Sequence, residues 1–90
     1  MSDYTVTGTI HRIEPTEQKG ETLSVREFRI KTDGQYPQVL KFQLINIRCE
    51  LIDPYRVDEH VVVTFNIRGK ESADLHHCYT NLTAWKIQRA

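Results

Sequence analysis

The sequence predicts a small all-β fold, and three observations carry that expectation. Five short runs are rich in β-branched residues or alternate apolar with polar side chains, the period-two pattern of half-buried strands. Gly, Pro, Asp and Asn punctuate the joints between them. Only one segment, between the third and fourth runs, has helical character. With 90 residues, 39% hydrophobic and 27% charged, the chain has apolar stock for one core and too little length for two, so a single domain over 1–90 is expected.

The first strand is read over 4–13, from Tyr4-Thr5-Val6-Thr7 to Ile13. Gly8 within it marks a bulge or strong bend, a device by which small barrels coil their first strand. Pro15 offers no backbone donor and ends the run, leaving 14–22 as a polar loop. The second strand, 23–32, puts Phe28 and Ile30 on one face and Glu27, Arg29 and Lys31 on the other. Asp33-Gly34 supplies the turn, with Tyr36-Pro37 at its tip. The third strand, 38–45, returns with Leu40, Phe42 and Leu44 on one face and Lys41 and Gln43 on the other.

Asn46 is then expected to cap a short helix carrying Ile47, Cys49 and Leu51, which Asp53-Pro54 ends. So short a helix needs packing to exist and is read as a plug on the core. After a loop, 60–68 is the clearest strand, with Val61, Val63, Phe65 and Ile67 on one face. A polar loop, 69–77, leads to a last strand over 78–88 carrying Leu82, Trp85 and Ile87. The order β-β-β-α-β-β, closed to remove exposed edges, predicts a five-stranded OB-fold barrel with a short helix between strands 3 and 4. A split β-sandwich is the alternative. Phe28, Phe42 and Phe65 are assigned to the core.

Twelve basic and twelve acidic residues give a net charge of zero, which counts against a strong, sequence-independent polyanion binder. The balance is uneven along the chain. Within 24–45, Arg26, Arg29, Lys31 and Lys41 outnumber Glu27 and Asp33, whereas Glu14, Glu17 and Glu21 make the first loop acidic. The N-terminal Met1-Ser2-Asp3-Tyr4 has no basic or apolar stretch, so no signal peptide is expected, and no apolar run is long enough for a membrane span. A cytoplasmic location follows as the expectation. Cys49 and Cys78 are read as reduced thiols rather than a disulfide.

Three stretches carry a resemblance: Lys41-Phe42-Gln43-Leu44, Cys49-Glu50-Leu51-Ile52-Asp53-Pro54-Tyr55, and Val63-Thr64-Phe65-Asn66-Ile67-Arg68-Gly69-Lys70-Glu71. With Asn81-Leu82-Thr83-Ala84-Trp85-Lys86-Ile87, the chain resembles, over nearly its whole length, a family of small bacterial single-domain OB-fold proteins of unknown function. That family is related in fold to single-stranded-DNA-binding proteins. The resemblance implies the fold and leaves the activity open. Typical bacterial single-stranded-DNA-binding proteins add an acidic recruiting tail after the barrel; this sequence stops at Gln88-Arg89-Ala90, and no such recruitment is expected.

An OB barrel binds oligonucleotides on its second and third strands between two flanking loops, here the 24–45 hairpin, the 14–22 loop and the 69–77 loop. Single-strand binding needs cations along a phosphate path and flat side chains for stacking. The candidate nucleic-acid-binding residues are Arg26, Arg29, Lys31, Lys41, Arg68 and Lys70, with Tyr36 and Trp85 as stacking platforms and Tyr79 as a further one. The bland readings stand beside these: a solvated face with cross-strand ion pairs, Tyr36 covering the barrel mouth, and Trp85 buried because it shares the parity of Ile87.

His76-His77-Cys78 is read as a polar loop tip rather than a metal site, since neighbouring strand side chains point apart and no Cys-x-x-Cys pair accompanies it. His11 and His60 have no partner evident in the sequence. There is no phosphate-binding glycine loop, nucleophile motif or general acid–base signature, so neither a cofactor nor catalysis is expected. The reading is a non-enzymatic module for single-stranded nucleic acid with little sequence specificity. The alternative is a protein-interaction or structural domain that works through self-association or a protein partner, and a homodimer fits both.

Overall fold

Alternating side chains along five long strands let one sheet bury a single face by closing on itself. In the computed structural model, which describes residues 3–90, the strands are β1 (Tyr4–Ile13), β2 (Glu17–Gln18), β3 (Ser24–Thr32), β4 (Val39–Ile45), β5 (His60–Glu71) and β6 (Cys78–Arg89). A 3-10 helix (Asn46–Ile52) lies between β4 and β5. Met1 and Ser2, part of the N-terminal stretch read for a signal, lie outside the described residues. The strand order is β1-β5-β6-β4-β3-β2, and β1 also pairs β3, which closes the five long strands. All pairings are antiparallel except β4 with β6, which meet in parallel at Gln43 and Thr83. This is the expected OB arrangement, with a two-residue β2 added inside the first loop. No described helix is long and apolar enough to cross a membrane.

The core forms where the inward rows of β3, β4 and β5 meet. The rings of Phe28 and Phe42 stack at 5.4 Å between centroids, and Phe42 meets Phe65 edge-on at 5.0 Å. Ile10, Ile30, Leu44, Val61 and Val63 fill the space around them, while Cys49 and Ile52 of the 3-10 helix close one end. The Cys49 Sγ lies 3.3 Å from the Leu44 carbonyl, and burial pushes its thiol pKa up. Both cysteines are free thiols, Cys49 buried and Cys78 exposed.

Gly8 sits where β1 changes partner, opposite Val61 of β5 and Thr32 of β3. A Cβ there would lie 2.5 Å from both the Ile30 Cγ2 and the Lys31 carbonyl oxygen, so the position admits only glycine without movement of β3. The bulge itself falls later, at His11, where the register with β3 shifts.

Three local expectations are corrected. Asn46 does not cap the helix: no side-chain cap bond forms, and Asn46 instead takes a left-handed φ of 52° while its Oδ1 accepts the Ser24 N–H at 2.9 Å. His60 has a partner, with its Nε2 lying 2.7 Å from the Asp33 Oδ2. The parity of Trp85 fails because β6 carries an extra residue between Ala84, opposite Phe65, and Lys86, opposite Thr64. Trp85 is that extra residue, half-buried, with its Nε1 buried and unpaired among the described residues.

Candidate nucleic-acid interface

The alternation that buries Phe28 and Ile30 turns Glu27, Arg29 and Lys31 outward on β3, and the antiparallel register sets their neighbours on β4. Arg29 lies opposite Lys41, Lys31 opposite Val39, and Glu27 opposite Gln43. Two cations placed directly opposite repel, so this arrangement contributes nothing to hairpin stability by itself. One anion moderates it: the Lys41 ammonium lies 3.6 Å from the Glu27 carboxylate. Arg29 and Lys31 have no ion-pair partner among the described residues.

The β5–β6 hairpin extends this surface. Its strands continue past the barrel to Glu71 and Cys78, where a loop had been expected from Gly69 onward. The extension leaves Ile67, which shares the parity of the core residues of β5, 51% exposed. Arg68 pairs with Asn81, and Lys70 with Tyr79, on the outward side of the hairpin. Beyond Gln43 and Thr83, β4 and β6 separate, and a cleft opens between them. Glu27, Lys41, Phe42, Gln43, Thr80, Asn81 and Leu82 line it. Lys41 and Asn81 share the walls of this cleft, so the outward row runs Arg29, Lys41, Asn81, Arg68, with Lys31, Tyr79 and Lys70 in the next row. Lys41 is the one cation among the cleft's lining residues; Arg29 and Lys31 stand beside it on β3, and Arg68 and Lys70 on β5 behind the β6 wall.

Exposed flat side chains lie on both hairpins. Tyr36, at the tip of the β3–β4 turn, is 78% exposed. Tyr79 is 59% exposed, and its ring lies nearly parallel to that of His77, with 6.2 Å between centroids. Trp85 lies two residues beyond Thr83 on β6, away from these rows, and its indole N–H is covered. The exposed ring next in sequence to the cleft wall is thus Tyr79, whose place beside Lys70 is set by the hairpin register.

Arg26 takes no part in this surface. It shares the parity of Phe28 and Ile30 and points to the closed end of the barrel, where its side chain is only 19% exposed. Its Nε donates to the Glu14 carbonyl at 2.9 Å, and its other donors reach the Cys49 carbonyl and the Asp53 carboxylate. Alternation alone held this signal, since a charged residue in phase with two core residues must find buried partners. The acidic first loop borders the cationic rows. Glu14, Glu17 and Glu27 line a hollow with Pro15, Lys19 and Val25, and Glu17 pairs with Lys19 at 2.8 Å. That pairing holds the Glu17 carboxyl below the usual carboxylate range.

Residues 5–88 match a family described as a domain of unknown function, DUF3127. The chain belongs to that family. No curated protein matches the sequence. Among solved structures, the mitochondrial single-stranded DNA binding protein Rim1 from S. cerevisiae is similar in fold, with a TM-score of 0.79 at 12% identity over 98% of this chain and 94% of that one. The dimeric N-terminal domain of PriB from Thermoanaerobacter tencongensis is similar with a TM-score of 0.70 at 12% identity, over 98% and 94% of the two chains. At such identities the likeness establishes the OB fold alone.

Proposed function

We propose that this DUF3127 domain is a non-enzymatic module that holds single-stranded nucleic acid across the cleft between the β3–β4 and β5–β6 hairpins. Arg29, Lys31, Lys41, Arg68 and Lys70 contact phosphates, and Tyr79 and Tyr36 offer stacking surfaces on the two hairpins. One observation carries the reading: an outward surface around the cleft on which Arg29, Lys31, Arg68 and Lys70 have no ion-pair partner among the described residues and Lys41 lines the cleft, in a chain whose net charge is zero. Recognition is largely sequence-tolerant, because phosphate contacts and stacking carry little base information. The acidic hollow beside Glu14 and Glu17 turns the strand away from the first loop and towards the β5–β6 hairpin. The fold shared with Rim1, a single-stranded DNA binding protein, supports the reading without deciding it.

The test is fluorescence anisotropy of a labelled oligothymidine and a mixed-sequence RNA at about 50 and 200 mM salt, a span over which phosphate contacts weaken sharply. Saturable binding that weakens with salt is expected. No binding at the lower salt, with protein at high micromolar concentration, contradicts the reading.

A second reading, a protein-interaction domain acting as a homodimer, is favoured by the exposed apolar side chains of Val39 and Ile67 and by the dimeric PriB domain of like fold. Light scattering across a concentration series tests the dimer. A dimer that binds no oligonucleotide selects this second reading.

A further inference from the structure

A hollow of about 410 Å³ lies on the outer face where the end of β4 and the start of the 3-10 helix approach β5 and β6. Leu23, Ile45, Ile47, Arg48, Arg68 and Thr83 line it. Its shape follows from Asn46. The left-handed backbone there, held by the Ser24 N–H on its Oδ1, turns the chain sharply at the end of β4. Ile47 is left 83% exposed, with exposed Leu23 lining the same hollow.

The lining contains two guanidinium groups and no carboxylate, and neither Arg48 nor Arg68 has an ion-pair partner among the described residues. Its apolar part is aliphatic, whereas a site for a nucleobase offers an aromatic plate. Guanidinium forks match carboxylates in paired hydrogen bonds, and an aliphatic floor accepts a branched apolar side chain.

We propose that this hollow docks a short acidic peptide segment of a partner protein. The peptide seats one apolar side chain among Leu23, Ile45 and Ile47 and sets flanking carboxylates on Arg48 and Arg68. The nucleic-acid reading shares only Arg68 with this hollow, so the peptide site stands or falls on Arg48 and Ile47. Where both ligands bind, they compete at Arg68.

The experiment titrates the full chain into a labelled peptide of about ten residues with two leucines among aspartates, beside a counterpart with asparagine for every aspartate. Saturable binding of the acidic peptide alone is expected, weakened at least about fivefold by Arg48→Gln and by Ile47→Ser, with oligothymidine affinity unchanged in both variants. Circular dichroism checks the fold of these two exposed-site variants. Absent peptide binding, equal binding of the asparagine peptide, or variants without effect overturn the proposal. Loss of oligothymidine affinity in Arg48→Gln overturns it too and assigns the hollow to the nucleic-acid path. Failure of oligothymidine to bind the unaltered chain sinks the nucleic-acid reading while leaving the peptide result to be judged by itself.

Discussion

Arg26 and Arg29 stand three residues apart on one strand, yet they belong to two regions with opposite chemistry. At the closed end of the barrel Arg26 has local partners, Asp53 and two carbonyls; elsewhere Arg12, opposite Arg29 on β1, pairs with Glu14, and Arg89 with Glu59. Across the cleft face, Arg29, Lys31, Arg68 and Lys70 have no ion-pair partner among the described residues, and only Lys41 meets an anion. The chain is neutral as a sum and polarised as a surface. Paired charges serve the fold, and unpaired ones on an outward face are available to a polyanion. Net charge is therefore a poor guide to binding when cations on one face lack the anion partners that others have.

The largest effect expected from this contrast is on stability. Arg26→Ala removes charged hydrogen bonds to half-buried carbonyls and lowers unfolding free energy by about 2 kcal/mol, read from urea denaturation, while the salt dependence of oligonucleotide binding stays as it was. The mirror experiment is Arg29→Ala with Lys41→Ala. Affinity falls about tenfold at low salt, and the slope of log K against log salt drops by about 1.4, at ~0.7 per lost contact. Stability changes by no more than about 0.5 kcal/mol. A double variant that unfolds more readily and binds as before reverses the assignment of the two regions.

Tyr79→Ala is expected to weaken binding by about fivefold, near the lower end of base stacking, with Tyr79→Phe close to the unaltered chain. Glu27→Gln frees Lys41 from its one anion and tightens binding by about twofold, an effect that fades with added salt. The smallest readout is thiol chemistry. Cys78 reacts with a maleimide in the folded protein, and Cys49 reacts only on unfolding. Because burial raises the Cys49 pKa, its contribution to stability is whole below the ordinary thiol range and is lost as pH rises through the raised value. Urea midpoints at neutral and alkaline pH check that direction.

Much of this architecture was legible because period-two alternation is unambiguous in strands with one wet face. The bounds of β1 and the inward rows of Phe28, Phe42 and Val63 follow from it directly. Arg26 was legible by the same rule, since its parity matched the core, but charge composition pulled it into the candidate site. Trp85 was not, because a bulge inserts one residue and resets parity beyond it, and no residue type announces that position. The hairpin continuing past Gly69 was hidden by its polar composition, which reads as a loop. Its register alone brings Tyr79 beside Lys70. The turn at Asn46 was not legible because a helix cap and a left-handed turn favour the same residue.

The most direct test of the division between the two regions is residue-resolved. Amide chemical shifts are followed by NMR while an oligothymidine of about 12 nucleotides, within the site size of one OB fold, is added. Perturbations grouped at Arg29, Lys31, Lys41, Arg68, Lys70 and Tyr79, with Arg26 and Cys49 unmoved, are the predicted result. Perturbations centred on the paired end of the barrel, or none at saturating oligonucleotide, contradict it.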